Sequence, residues 1–404
     1  MTRSIALAAF LSMSAIPVAA HHGPGTFDLR GSVTFEGATL TRVEFINPHS
    51  WLYFDVVEED GTVSNHRCEM RSAHTLRRSG WSTDLFPAGA EVTIEASPDR
   101  ADPLSCYLNT IHFADGGHMD RYGQYVTGPA GGLREVRGQV VVPDVQQRPR
   151  RMPGGAPYLG GDWAPEQVVM ANPRGTGGGL VPLSRLEEID AVAEQPGQPA
   201  RGRGARGGGA PGGRGRGRGA GGPRLYGGTA LTPRGEQAVA AFDAQADNPR
   251  FRCETTSILF DWTFDGPVNR IIQSNDTIVI RYGQMSLERV VHLDMAAHPA
   301  DIEPSRAGHS IGRWEGDVLV VDTVGFAPGV LNAPVPNSNR LHVVERFTLD
   351  MDAMQLTREY AAEDPVYLEG QYTGSDTVQV ADFPYTADTC KEQGFTEYTP
   401  QAGE

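Results

Sequence analysis

A stretch in which arginine alternates with glycine constrains the fold of this chain more than any other feature. Between Arg201 and Arg224 there are seven arginines, no acidic residue and mostly glycine. Such a composition supplies too little apolar surface to bury a core, which predicts a disordered linker. The chain of 404 residues therefore divides into a region before this linker and a region after it.

Charge is distributed unevenly between the linker and the rest of the chain. The whole sequence carries −15, and because the linker contributes seven arginines without an acid, the remainder carries −22. An acidic body argues against nucleic acid as the main partner. The basic linker itself leaves a contact with an anionic surface polymer as a further expectation.

The first 20 residues have the pattern of a secretory signal peptide. Arg3 supplies the positive start, residues 5–16 are mainly apolar, and Val18 and Ala20 are the small residues of the cleavage site. The apolar run is shorter than the about 20 residues that a membrane span needs, and no later run reaches that length. We therefore expect a periplasmic or secreted protein without a membrane span.

Cleavage after Ala20 would place a histidine at the mature N-terminus. His21 then offers its α-amine and its imidazole to one copper ion, and His22 follows it. His49, in the segment Asn-Pro-His, would complete a two-histidine copper site with three nitrogen ligands. The alternatives are another divalent metal, a hydrogen bond from His49 to a turn, and a different partner for His21. The other candidate partners are His22, His66, His112 and His118.

Four cysteines behind a secretion signal predict two disulfides. Three pairings are open from sequence alone, and pairing within each region is the most economical. That choice joins Cys68 to Cys106 and Cys253 to Cys390. No Cys-x-x-Cys spacing occurs, which argues against a metal site built from these residues.

Residues 21–128 have the pattern of a small β-barrel. Strand-like segments occur five times, and a short helix beginning after Ser72 lies between the third and the fourth. Five strands with a helix in this position are the order of an OB-fold. Residues 129–228 show little periodicity and are predicted to be irregular, with the linker near their end.

Residues 229–394 are predicted to form an antiparallel β domain that begins with a helix. Thr232 has the position of a helix N-cap, and the clearest hairpin spans residues 308–326 with its turn at Gly316. Sequential strands without helical crossovers predict a closed barrel or a strongly curved sheet, lipocalin-like in outline. The interior of such a barrel suits a small, apolar ligand.

Two segments resemble uncharacterised families of secreted bacterial proteins. The run Gly-His-Ser-Ile-Gly-Arg-Trp-Glu-Gly-Asp at residues 308–317, followed by Leu-Val-Val-Asp-Thr at 319–323, looks like the hallmark of one family. The His-His-Gly after the signal and the Asn-Pro-His at 47–49 are similar to a second family. The resemblance implies placement outside the cytoplasm and paired β domains, and it brings no activity.

A group of ionisable residues in the second region is the candidate catalytic site. His309, Asp322 and His342 lie on or next to predicted strands, as does His298. Because His342 and Glu345 are three residues apart on one strand, they face opposite sides of the sheet. Histidines and a carboxylate that point into the barrel would serve acid–base chemistry or hold a ligand. The structural alternative is that these polar groups only satisfy one another.

Three functions are open from the sequence. The first is a periplasmic binding or accessory protein that holds copper at His21 and His49 and a small molecule in the second barrel. The second is an extracytoplasmic enzyme that uses His309, His342 and Asp322. The third is a non-catalytic interaction scaffold. Neither a phosphate-binding Walker loop nor a His-Glu-x-x-His zinc motif occurs in the chain, which argues against those two chemistries.

Overall fold

The computed structural model describes residues 27–79, 81–121, 125–126, 148–170, 180–182, 225–244 and 246–391. These residues form a mainly β structure with two barrels. No helix in the described ranges is long and apolar enough to cross a membrane. The predicted signal peptide and the arginine–glycine linker lie outside the described residues.

The first barrel has the OB-like order that the sequence predicts. Its strands are β1 (Val33–Glu44), β2 (Trp51–Val57), β3 (Val63–Glu69), β4 (Glu91–Pro98) and β5 (Ser105–Phe113), with helix α1 (Ala73–Arg78) between β3 and β4. Antiparallel pairs run from β3 through β2, β1 and β4 to β5, and a parallel pairing of β3 with β5 closes the ring. Two short strands, β6 (His118–Asp120) and β7 (Tyr125–Val126), extend the sheet beyond β5.

Local sequence explains how this small barrel closes. Gly37 adopts a φ of +65°, which glycine tolerates best, and the pairing register of β1 with β4 shifts between Phe35 and Ala38. The resulting bulge bends β1, so that the strand pairs with β2 on one side and β4 on the other. Ser72 caps α1, because its hydroxyl accepts a hydrogen bond from the Thr75 amide.

Both predicted disulfides are confirmed. Cys68–Cys106 joins β3 to β5, where the two residues are direct partners in the parallel pairing. Cys253–Cys390 links residues 137 positions apart and so ties together the two ends of the second region. On the chain-entropy model, closing a loop of that length stabilises the folded state by about 5 kcal/mol.

The second barrel is a closed ring of nine strands. In chain order, the elements after the first barrel are β8 (Gly161–Pro165), β9 (Val168–Met170), β10 (Leu180–Pro182), α2 (Pro233–Ala241), β11 (Asn269–Gln273), β12 (Thr277–Arg281), β13 (Glu288–His292), β14 (His309–Glu315), β15 (Val318–Val324), β16 (Gly329–Asn332), β17 (Val335–Asn337), β18 (His342–Asp350), β19 (Gln355–Glu363) and β20 (Tyr372–Val380). The ring order is β11, β12, β13, β14, β15, β18, β19, β20 and β8. The pairs β9–β10 and β16–β17 form separate two-stranded sheets.

Two features of this barrel differ from a simple antiparallel series. β13 and β14 run parallel, so residues 293–308 connect them as a crossover loop. β8 comes from the region predicted to be irregular, and it lies between β11 and β20. Trp163 on β8 is fully buried, and Asp162 forms an ion pair with Arg270 on β11 at 2.6 Å. These contacts hold a short segment that contains both glycine and proline as a strand.

Side chains occupy the barrel interior that the sequence predicts as a ligand cavity. Trp262, from the segment that precedes β11, is buried there, and its ring contacts that of Tyr282 at a centroid distance of 5.6 Å. Beside them, Glu345 is fully buried between Arg289 and Arg358. Charges in such a place are retained only when they are paired and hydrogen-bonded. Because side chains fill this interior, we expect a small-molecule site of this barrel to lie on its outer face.

Helix α1 of the first barrel makes a polar contact with the second barrel. The buried guanidinium of Arg78 donates to Asp382 at 2.9 Å and to the carbonyl oxygens of Gly266 at 3.1 Å and Pro165 at 2.9 Å. All three acceptors belong to the chain around the second barrel. One arginine therefore connects the two barrels through three hydrogen bonds, one of them an ion pair.

Candidate functional site

Four neighbouring strands of the second barrel each carry an ionisable side chain near the same end. These are His292 on β13, His309 on β14, Asp322 on β15 and His342 on β18. The residues next to them in sequence, such as Val343, are buried in the interior, so alternation places the four side chains on the outer face. Acid–base chemistry inside the barrel would need these side chains to point inward. They lie outside because apolar and paired residues at the alternate positions fill the interior.

Strand register brings three of these side chains close together. Asp322 lies opposite Ile311 on β14 and opposite Val344 on β18. His309 precedes Ile311 by two residues, and His342 precedes Val344 by two residues. Both histidines are therefore diagonal neighbours of Asp322 on the same face, within reach of long side chains.

Asp322 accepts hydrogen bonds from two histidines. The Nε2 atom of His342 lies 3.1 Å from its Oδ1 and 3.2 Å from its Oδ2, and the Nε2 atom of His298 lies 3.0 Å from Oδ1. Partial burial by itself raises the pKa of Asp322, but the hydrogen bonds from His298 and His342 outweigh it and hold the pKa below its usual range. The carboxylate is therefore ionised at neutral pH and orients both rings.

His298 connects Asp322 to His309. It lies in the crossover loop between β13 and β14, and its Nδ1 is 2.8 Å from the Nδ1 of His309. Asp322, His298 and His309 thus form one continuous chain of hydrogen bonds.

The crossover loop ends at Gly308, whose φ is +66°, and a Cβ there would lie 2.8 Å from the carbonyl oxygen of Val324. A glycine directly before His309 therefore lets β14 start close against β15.

His309 is held in its neutral form. Its ring stacks on that of His292 at a centroid distance of 5.2 Å and an interplanar angle of 12°. Burial disfavours the charged ring, and the neighbouring His298 and His292 add repulsion, so the pKa of His309 lies below its ordinary value of 6.5. Its Nε2 makes no hydrogen bond with any described residue, and neither does the Nδ1 of His342. We call His298, His309, Asp322 and His342 the His–Asp cluster.

The run at residues 308–312 also has the Gly-x-Ser-x-Gly spacing of serine-hydrolase nucleophiles. Ser310 is fully buried on a strand, and it does not lie at a strand-to-helix turn. Its hydroxyl forms hydrogen bonds with the Thr323 hydroxyl at 2.9 Å and with the Arg289 Nε at 2.9 Å. Ser310 therefore holds strands together inside the barrel and is not an exposed nucleophile.

The predicted copper ligands have a separate outcome. His21 and His22 lie outside the described residues. His49 lies near the contact between the barrels, where its Nδ1 is 2.8 Å from a Glu69 carboxylate oxygen and its ring is 6.4 Å from that of Phe251. Within the described ranges, no group of three or more His, Cys, Asp or Glu side chains is arranged to hold a metal ion. The copper site stays a prediction.

The other histidines proposed as copper partners have local contacts. The Nε2 of His66 lies 2.9 Å from the Ser64 hydroxyl. On the outer surface of the first barrel, the Nε2 of His112 lies 3.0 Å from a Glu95 oxygen, and its ring is 5.5 Å from that of His118. Like His309, His112 has an imidazole neighbour, but it contacts its carboxylate directly and is not linked to the His–Asp cluster, which makes it a useful control.

The structure brings together the three residues proposed for catalysis and adds a fourth. His342 contacts Asp322 directly, whereas His309 reaches Asp322 through His298. His298 was noted in the sequence but was not assigned to the site. The available signal was a histidine next to a proline, a few residues after a predicted strand, and nothing in that signal places it over Asp322.

One family model matches the first part of the chain. Residues 9–105 match the model of a family of unknown function, DUF6152. This range includes the His-His-Gly and Asn-Pro-His segments, while residues 308–323 lie outside it. No curated protein and no solved structure matches the chain. These comparisons therefore assign no chemistry to the second barrel.

Proposed function

We propose that the protein is an extracytoplasmic enzyme that performs general acid–base catalysis at the His–Asp cluster. The observation that carries this proposal is the continuous hydrogen-bond chain from Asp322 through His298 to His309. The chain ends at the Nε2 atom of His309, which forms no hydrogen bond with any described residue. A neutral imidazole with an open ring nitrogen is the group that most often acts as a base near neutral pH.

The proposed proton transfer runs along this chain. Nε2 of His309 takes a proton from water or from a substrate hydroxyl. The proton on Nδ1 of His309 passes to Nδ1 of His298, whose Nε2–H already donates to Asp322. The positive charge therefore develops next to the ionised carboxylate, which stabilises it.

His342 supplies a second imidazole to the same site. Its Nε2 is held by Asp322, and its side chain is 40% exposed, so its Nδ1 is accessible from the outer face. Because the Nε2–H of His342 donates to Asp322, its Nδ1 is an acceptor that can bind and orient the water or the substrate hydroxyl from which His309 takes a proton. We assign His309 as the base and His342 as the second group that contacts the substrate.

Placement outside the cytoplasm is supported by two independent features. The first 20 residues have the pattern of a signal peptide, and the second region and the first barrel each hold a disulfide. The filled barrel interior supports an outer-face site over an interior one. A purely structural scaffold does not require a surface imidazole nitrogen with no hydrogen bond to any described residue.

Hydrolysis of p-nitrophenyl acetate tests the proposal with a defined acyl substrate. In this reaction water adds to the ester, and acetate and p-nitrophenol are released. We expect His309→Gln to remove most of the rate, whereas the matched variant His112→Gln retains it. The wild-type rate should rise with pH through a midpoint below 6.5, because the neutral form of His309 is active. Equal rates in the two variants would reject the enzymatic function.

A further inference from the structure

Arg289 extends from β13 into the barrel interior and is 1% exposed. Its Nε donates to the Ser310 hydroxyl on β14 at 2.9 Å, and its Nη2 donates to the Thr323 hydroxyl on β15 at 2.8 Å. The same Nη2 forms an ion pair with Glu345 on β18. One guanidinium therefore connects four strands from the inside.

These four strands are the ones that carry the outer-face imidazoles and the carboxylate. Ser310 directly follows His309, and Thr323 directly follows Asp322. Since adjacent residues of a strand face opposite sides, the hydrogen bonds of Arg289 to Ser310 and Thr323 each lie one residue away from a member of the His–Asp cluster. Arg289 and the cluster thus occupy the two faces of the same patch of sheet.

We propose that Arg289 is the positioning residue of the His–Asp cluster. It sets the relative placement of the strands that carry His309, Asp322 and His342, and with it the hydrogen-bond chain on the other face. The inference rests on the proposed function for its consequence in catalysis. The placement of the histidine rings by Arg289 does not depend on catalysis and has its own measurement.

The pairing between β13 and β14 shows why such a connection is needed. This parallel contact comprises two registered residue pairs, Val291 with Ser310 and His292 with Ile311. The antiparallel pairing of β14 with β15 comprises seven. Backbone hydrogen bonds therefore fix β13 to its neighbour less firmly than they fix β14 to β15. The side chain of Arg289 supplies the missing connection.

Arg358 offers a matched control in the same interior. It is also fully buried and also pairs with Glu345, at 3.3 Å. Its other partners are Asp376 on β20 and the carbonyl oxygens of Ile258 and Leu259. None of these partners lies on β13, β14 or β15. Loss of Arg358 therefore disturbs the buried charges without releasing those three strands.

The test compares Arg289→Lys with Arg358→Lys in the full-length mature protein. Lysine keeps the positive charge, but one ammonium group cannot reproduce the fork that reaches three strands. Nitrogen-15 NMR of the histidine rings reports the hydrogen bond between His298 and His309. We expect Arg289→Lys to displace these ring signals and to lower p-nitrophenyl acetate hydrolysis by about 10- to 100-fold. Arg358→Lys should lower the unfolding midpoint while leaving the ring signals in place.

A second variant keeps the test decisive when Arg289→Lys does not fold. The double variant Ser310→Ala, Thr323→Val removes two hydrogen-bond partners of Arg289 and retains its ion pair with Glu345. We expect it to shift the same histidine signals. Ring signals unchanged from wild type in a folded Arg289→Lys protein, or in the double variant, would overturn the positioning role. Shifted signals, combined with equal ester rates for His309→Gln and His112→Gln, would retain that role and reject the proposed function.

Discussion

The Nδ1 atoms of His298 and His309 lie 2.8 Å apart, so one ring donates a proton to the other. Nε2 of His298 contacts the ionised Asp322 and carries a proton for that contact. If His298 is neutral, its Nδ1 accepts the proton of His309, and the Nε2 of His309 is left with a free lone pair. This arrangement of protons makes the Nε2 of His309 available as a base.

Replacing Asp322 tests the carboxylate that orients the cluster. Asp322→Asn keeps one oxygen acceptor, but it removes the negative charge and replaces an oxygen that faces the N–H of His342 by an NH2 donor, so the two rings are held less firmly. We expect ester hydrolysis to fall by about tenfold or more, as for other groups that orient a functional histidine. The pH midpoint should also move down, because the negative charge that stabilises the protonated rings is gone. A pH–rate profile measures both effects, and an unchanged midpoint would contradict the assignment.

Asp261 predicts a pH dependence of stability that is independent of the site. It is fully buried, which raises its pKa from 3.8 to about 7, and the charge of Arg250 lowers the pKa only in part. In the unfolded chain the group ionises near 3.8, so the folded state binds its proton more tightly. Its contribution to stability is therefore present at low pH and is lost as pH rises towards 7.

Urea unfolding of wild type and Asp261→Asn checks this dependence. Between pH 5 and pH 8 we expect the wild type to lose about 3 kcal/mol of unfolding free energy relative to the variant. The variant removes the ionisable group and keeps a side chain of similar size. Parallel pH curves for the two proteins would show that Asp261 ionises normally in the folded state.

Arg78 predicts how the two barrels depend on each other. Arg78→Met removes three hydrogen bonds to the second barrel and leaves the Asp382 carboxylate without its ion-pair partner. Breaking a largely buried pair on one side costs about 3 to 5 kcal/mol. The matched control is Arg77→Met, because Arg77 donates to Phe45 within the first barrel. Calorimetry should show a lower unfolding temperature for Arg78→Met than for wild type and for Arg77→Met. Equal unfolding temperatures for the two variants would contradict a special role of Arg78 in joining the barrels.

The N-terminal histidines predict copper binding that depends on correct processing. A protein that begins at His21 offers the α-amine as a ligand, whereas one extra N-terminal alanine moves the amine away. We expect tight one-to-one copper(II) binding in the first protein and its loss in the second, measured by titration calorimetry. Equal binding by both proteins would exclude the amine as a ligand. A His49→Gln variant would then show whether that ring takes part.

Alternation predicted which residues of a strand share a face, but not which face is buried. The sequence predicts His342 and Glu345 on opposite sides of the sheet, and the structure has this arrangement, with Val343 and Phe347 on the side of Glu345. The buried side is the one with Glu345, because Arg289 and Arg358 from other strands neutralise its charge. Such pairs between distant segments leave no local pattern in the sequence.

β8 and His298 were not predicted as parts of the second barrel and of the site, because contacts between distant segments determine their positions. β8 contains Gly161 and Pro165 and lacks alternation, and it is a strand because β11 and β20 pair with it. His298 lies in a loop, where no sequence periodicity indicates which way a side chain points. The path of the crossover loop places it over Asp322. Tertiary contacts therefore decided the strand and the site residue that local patterns did not identify.

The proton positions on His309 and His298 decide whether His309 can act as a base. Nitrogen-15 NMR of the wild-type protein at pH 7.5 distinguishes which ring nitrogen of each neutral histidine carries the proton. We expect His309 to be protonated on Nδ1 and bare on Nε2, and His298 to be protonated on Nε2. A His309 ring protonated on Nε2, accepting at Nδ1 from a doubly protonated His298, would contradict this expectation.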